Sequence, residues 1–191
     1  MTPNRGAPTP PIALEGDGIR ARFPSVEVGD KVLTRLADAC TDVQTDQATL
    51  AESGRDWWPV AMRWALDGEV PALAAAVAKP ASVDEVAAVL RVCNDGRVPL
   101  TVAAGRSGVC GGSVPVHGGV ILDLTGLEGI VDVDDTSLLL DVRAGTFGDV
   151  LEDDLRGAHG VTVGHWPQSV NLSTVGGWLA CRGAGQYSNR Y

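Results

Sequence analysis

Two glycine-centred strings carry the residue types that could hold a ligand. The first reads Ala103-Ala104-Gly105-Arg106-Ser107-Gly108-Val109-Cys110-Gly111-Gly112. The second runs from Gly164-His165-Trp166-Pro167-Gln168-Ser169 through Val170-Asn171-Leu172-Ser173-Thr174 to Val175-Gly176-Gly177-Trp178. Closely spaced glycines let backbone approach a ligand without Cβ interference and reach positive φ cheaply. Successive backbone N–H groups in such turns form concave anion sites, above all where a helix begins. Two such strings in one small domain point to a ligand with two phosphates, gripped from both sides.

Other chemistries fit the same residues poorly. No Gly-Lys-Ser/Thr follows the first glycines, and their spacing, Gly105-x-x-Gly108-x-x-Gly111-Gly112, is not the Gly-x-Gly-x-x-Gly of a nicotinamide site. Gly105-Arg106-Ser107-Gly108 lacks the second spacer of a nucleophile elbow, and His117-Gly118-Gly119 precedes an apolar strand, so hydrolase chemistry is set aside. His117, His159 and His165 lack metal-ligand spacing. Asp132, Asp134 and Asp135 read as a solvated hairpin, without the Gly and distal Glu of a calcium loop. No metal is expected and no catalytic acid or base stands out. His165 is the nearest candidate, with a positional role preferred.

The elements that must position these strings follow from the rest of the chain. Its 191 residues, 45% hydrophobic and 20% charged with 24 glycines, can bury a real core. A net charge of −9 argues against nucleic acid or an anionic membrane as main partner, though a few amides and one Arg can still hold phosphates locally. Cys40, Cys93, Cys110 and Cys181 are widely spaced, which suggests reduced thiols and a cytoplasmic setting. No signal peptide or membrane span is expected.

Residues 1–24 read as a poorly ordered lead-in. Val32, Leu33, Leu36, Ala37 and Cys40 recur at helical spacing, predicting a helix over 30–40, and Asp46 to Leu50 adds a turn. Residues 54–71 read as an irregular arm whose Trp57, Trp58 and Trp64 fill core or a subdomain seam. A strand at Val77–Lys79 precedes a helix opened by a Ser82/Glu85 capping box, with Val83, Val86, Ala87, Leu90 and Cys93 on one face and Gly96 as the stop. A strand over 98–103 feeds the first string. Strands are predicted at 119–124, 130–133 and 138–142. A helix follows with Phe147, Val150, Leu151 and Leu155 inward, and a strand at 161–163 leads to the second string. The class is α+β, with mixed sheets and two ligand loops.

In order along the chain stand Lys79-Pro80-Ala81-Ser82-Val83-Asp84-Glu85-Val86, Pro99 and the first string, Val114-Pro115-Val116-His117-Gly118-Gly119-Val120-Ile121-Leu122-Asp123-Leu124, Ala144-Gly145-Thr146, and Ser173-Thr174-Val175-Gly176-Gly177. This ordered set, over about residues 71–191, resembles the flavin-binding half of the vanillyl-alcohol oxidase / p-cresol methylhydroxylase superfamily. Gly164-His165 with Pro167, Ser169, Ser173 to Trp178 and Arg182 is most similar to the alkyldihydroxyacetonephosphate synthase branch. The flavin-dependent D-lactate and glycolate dehydrogenases come next.

The resemblance implies a bound FAD cradled by two α/β subdomains. Ala103, Ala104, Gly105, Arg106, Ser107 and Gly108 would wrap the pyrophosphate. Gln168, Ser169, Ser173 and Thr174 would line the flavin and phosphates, Gly176 and Gly177 would present backbone amides at a helix start to the cofactor, and Arg182 and Gly183 match the segment beyond. Where the family usually has Gly-Gly-Gly-Thr-Ser, this chain has Ala104-Gly105-Arg106-Ser107-Gly108. Arg106 either pairs with phosphate or is a solvent-facing side chain held by an acidic neighbour. Ser107 stands where some relatives carry a flavin-linked His, so the FAD is expected to be noncovalent. Residues 1–70 are expected to be an N-terminal extension, and 71–191 a FAD-binding domain incomplete at its C-terminus. A second chain or a C-terminal half would complete the enzyme, and the groups that select its small-molecule substrate would lie beyond Tyr191. The synthase reading implies exchange of an acyl for an alkoxy group; the dehydrogenase reading implies hydride transfer from a 2-hydroxy acid. A non-catalytic nucleotide-binding fragment is the remaining alternative.

Overall fold

A computed structural model describes residues 18–189. In chain order the elements are β1 (Arg20–Ala21), α1 (Asp30–Ala39), β2 (Val43–Gln44), α2 (Gln47–Ser53), α3 (Pro59–Ala65), β3 (Glu69–Val70), β4 (Ala76–Ala78) and α4 (Val83–Gly96). There follow β5 (Leu100–Ala103), β6 (Val120–Asp123), β7 (Ile130–Asp134), β8 (Leu139–Val142), α5 (Gly148–Ala158) and α6 (Val175–Cys181). The class is α+β, as the sequence indicates.

A four-stranded sheet in the order β2-β4-β6-β5 forms the first unit. β4, β6 and β5 run parallel, and β2 closes one edge antiparallel. Every residue of β6 is buried, as expected of a central parallel strand covered on both faces. Its side chains alternate. Val120 and Leu122 pack with Ala76 and Ala78 against Leu36 and Cys40 from the α1 end and Val89, Val92 and Cys93 of α4. Ile121 turns to the opposite face with Ala74, Val77 and Ala103, against Leu50 of α2.

The second unit sets α5 and α6 on the β7–β8 hairpin. Leu151, Leu155, Val170 and Trp178 form its core, lined by Ile130, Val133, Leu140 and Val142 of the hairpin. Asp134 Oδ1 accepts from the amides of Thr136 and Ser137 and holds the hairpin turn, the solvated role expected of this acidic trio.

Six local expectations change. The arm at 54–71 is not irregular throughout: Pro59 starts α3 at the first turn, where its missing N–H costs nothing, and β3 pairs in parallel with β1. The lead-in therefore contains a strand from Arg20; its residues 1–17 lie outside the described residues. Trp58 and Trp64 meet edge-to-face at 5.3 Å, so the tryptophans do pack together. In α4, Val83 and Leu90 are exposed while Val89, Val92 and Cys93 are buried, so the buried face is rotated from the one expected. Gly96 stays helical, and the left-handed C-cap falls on Arg97 at φ 50°. Ser82 caps the helix, accepting from Glu85 N at 3.2 Å, but Glu85 reaches the Ala81 amide and Thr41 rather than Ser82. Residues 161–163 form no strand; a buried carboxylate holds them instead.

Candidate functional site

The first glycine string leaves β5 at the carboxyl end of the parallel strands, where ligands of α/β sheets bind. Ala103 is buried and pairs with Asp123 on β6. Asp123 organises the turn that follows: its Oδ1 accepts from Thr125 N at 2.9 Å and Thr125 Oγ1 at 2.7 Å. Its Oδ2 stands 3.5 Å from Arg106 Nη1. Arg106 is buried at 7% exposure in the left-handed region, φ 48°. The acidic neighbour expected of it exists, but the side chain does not face solvent. Burial pulls its guanidinium below its ordinary pKa, and the charges of Asp123 and Glu52 oppose that pull. Its Nε is buried without a hydrogen-bond partner. A guanidinium has five N–H donors, so this long contact to Asp123 leaves donors unused.

Beneath the loop lies a segment whose place there no sequence pattern predicts. Asp56 exposes no surface, and its Oδ1 accepts from Trp58 N at 2.9 Å. Trp57 N donates to Gly108 O at 2.9 Å. Gly111, at φ 77°, rests on the Trp58 ring, a Cβ there standing 3.6 Å from it. Arg55 is buried beside this segment and paired with Glu52.

The second string is held by Glu152, which is buried on α5. Its carboxylate accepts from Arg156 Nε at 2.9 Å, Thr162 Oγ1 at 2.8 Å and Val163 N at 3.0 Å. This explains why 161–163 needs no ladder. Further on, Ser173 Oγ donates to Ser169 O at 2.8 Å and accepts from Trp178 Nε1 at 2.6 Å. His165 meets the Trp178 ring edge-to-face at 4.7 Å, and its Nε2 is buried without a partner. Thr174 caps α6, accepting from Gly177 N at 3.4 Å, while Gly176 N donates to Ala144 O at 2.8 Å. Both glycine amides at the start of α6 are thus engaged within the fold, so they are not free to meet a cofactor as their place at a helix start suggests.

The two strings touch. A Cβ on Gly105 would lie 2.3 Å from Leu172 O and 3.1 Å from Ser173 Cα, so the absence of a side chain lets the loops clasp. That contact brings Gly105 and Arg106 beside Ser173 and Thr174. Ser107 and Ser169 are half-buried, and Gly108, Gln168 and Gly177 are exposed along the same two segments. Arg182 and Gly183 lie at the far end of α6, both exposed, with Arg182 as its left-handed C-cap at φ 47°. The structure adds Asp56, Asp123 and Glu152 to the residues found from sequence. Asp123 had a signal, as the polar end of an apolar strand; Glu152 sits in an acidic run that marks no single residue.

A buried cation with an unpartnered donor, beside a glycine turn at a sheet's carboxyl end, fits a phosphate-bearing cofactor. Among the described residues no group of His, Cys, Asp and Glu could hold a metal ion, and no helix is long and apolar enough to cross a membrane.

Comparison with known proteins agrees. The D-lactate dehydrogenase of Anaerostipes hadrus is 31% identical over 110 residues, 58% of this chain and 23% of its own length. The FAD-linked oxidoreductase YgcU of Escherichia coli (strain K12) is 35% identical over 118 residues, 61% of this chain and 24% of its own. The alkyldihydroxyacetonephosphate synthase of Dictyostelium discoideum is 30% identical over 115 residues, 59% of this chain and 19% of its own. The chain thus spans a quarter or less of these relatives. Among solved structures, an alkyldihydroxyacetonephosphate synthase superposes with a TM-score of 0.82 at 22% identity, over 90% of this chain and 33% of that one. p-Cresol methylhydroxylase gives 0.69 at 20% identity, over 81% and 29%. Residues 74–191 match the FAD binding domain family, so the chain belongs to that family and its cofactor is FAD.

Proposed function

We propose that this chain is the FAD-cradling portion of a flavoenzyme resembling alkyldihydroxyacetonephosphate synthase, with the cofactor held noncovalently between the two glycine strings. The clasp of Gly105 on Leu172 carries this reading, because it makes one continuous backbone surface from segments far apart in sequence. In this reading Ala103 to Gly108 wrap the pyrophosphate, and the unused donors of buried Arg106 supply its positive counter-charge. Ser169, Ser173, Thr174, Gly176 and Gly177 line the flavin side, with Gln168 at the exposed rim and Arg182 and Gly183 beyond α6. Gly176 and Gly177 serve by being small, since their amides already have partners. Ser107 puts a neutral hydroxyl, a weak nucleophile, where a flavin-linked His would stand. Bound FAD supplies an electron-accepting ring; the protein binds and orients it.

The substrate-selecting groups are assigned to polypeptide outside this chain, which spans a third of the matched synthase structure. The D-lactate dehydrogenase relative supports a second reading, oxidation of a D-2-hydroxy acid. Both readings make the protein part of an enzyme of small molecules, and its four unpaired cysteines support a cytoplasmic setting.

The test is FAD titration of the purified chain, followed by visible absorption and heat release. Uptake of one flavin, released intact on denaturation, is expected. A folded chain that stays colourless in excess FAD would overturn the reading, and flavin retained after denaturation would overturn the noncovalent mode.

A further inference from the structure

Asp56 is a buried acid with an unusual set of neighbours. It exposes no surface, and its Oδ2 has no hydrogen-bond partner. A carboxylate left this way costs stability, so its place in the fold needs another reason. The neighbours supply one. The first glycine string bends around this carboxyl group: the Cβ position of Gly108 is 3.6 Å from Oδ2. Gly108 O takes the amide of Trp57, the next residue, at 2.9 Å. Oδ1 fixes Trp58 N, and the Trp58 ring then supports Gly111 in its left-handed turn. Each end of the 108–111 turn is therefore tied to the Asp56–Trp58 segment. That segment lies outside residues 74–191, which match the FAD binding domain family.

We propose that Asp56 is a positioning residue: it holds the Gly108–Gly112 turn in the shape that presents the first glycine string to FAD. The proposal rests on the cradling role given to that string above. Burial is the largest influence on Asp56 and favours its neutral form, with the Trp58 amide and then the Gly111 amide opposing it.

Asp56→Asn is nearly isosteric and removes the buried charge, so the variant should melt at or above the wild-type temperature. Its FAD dissociation constant should nevertheless rise at least tenfold. A structural role alone predicts the reverse, loss of melting temperature with FAD affinity following in proportion, and that result would overturn the proposal. So would unchanged FAD affinity in a folded variant. A second measurement needs neither FAD nor the variant. Amide exchange of the wild-type chain should show Trp57 and Trp58, whose amides donate to Gly108 O and Asp56 Oδ1, protected relative to Val109 and Cys110, which are exposed in the first string. Equal exchange at all four would sink the proposal while leaving the FAD assignment intact. Protection in a chain that does not take up FAD would instead isolate the failure in the cradling reading.

Discussion

Gly105 packs so closely on Leu172 that a Cβ at position 105 would lie 2.3 Å from the Leu172 carbonyl oxygen. Gly105→Ala must therefore move backbone, a change that costs about 3 kcal/mol. Gly108→Ala is the matched control. Its Cβ would meet Asp56 Oδ2 at 3.6 Å, an ordinary contact, and stability should change by less than about 1 kcal/mol. Urea denaturation of the two variants checks the contrast. FAD binding should be lost with the first variant, whose strain separates the two strings.

Arg106 and Asp123 form a buried pair at 3.5 Å. Arg106→Ala leaves the Asp123 carboxylate without its cation, and a loss of about 3 kcal/mol is expected. Arg106→Gly removes the same charge but relieves the left-handed backbone at φ 48°, and should recover about 1 kcal/mol of that loss. Both variants should bind FAD more weakly than wild type. Equal stability of the two would show that the backbone at 106 relaxes freely.

Glu152 ties Arg156, Thr162 and Val163 together. Glu152→Ala leaves the Thr162 hydroxyl and the Val163 amide without their acceptor and should cost about 3 kcal/mol. Glu152→Gln keeps one acceptor oxygen and should cost about half as much. Amide exchange at Val163 should accelerate in both, ahead of exchange in β6.

Acid separates two kinds of carboxyl group. Burial raises the pKa of Asp56 above its ordinary 3.8, with amide hydrogen bonds opposing. Its contribution is full below 3.8 and is lost as pH rises through the folded-state value. The hydroxyl of Thr41, then the Ala81 amide, hold Glu85 below its ordinary 4.5. Its contribution is full above 4.5 and is lost as pH falls through the folded-state value. Denaturation from pH 3 to 7 should therefore show opposite changes on substitution. Asp56→Asn should remove a term that falls with rising pH, and Glu85→Gln one that rises.

Much of this molecule is written locally in its sequence. The Ser82 cap, the amphipathic spacing of α1 and the apolar run of β6 depend on neighbours a few residues away, and each forms near its expected place. Both glycine strings announce themselves because glycine spacing is a property of the chain alone, and the ordered motifs around them indicate the family and FAD. What periodicity could not fix is the phase of α4. Apolar residues and alanines surround most of that helix, so its buried side was chosen by contact with α1 and β6. Nor could the sequence show that residues 161–163 would lean on a carboxylate instead of a strand, because Glu152 resembles its acidic neighbours until α5 folds. The same holds for Asp56 and Arg106. Whether a charge is buried, and what it faces, depends on segments far apart in the chain coming together, 17 residues for Arg106 and Asp123 and about fifty for Asp56 and Gly108, and only the tertiary structure decides that.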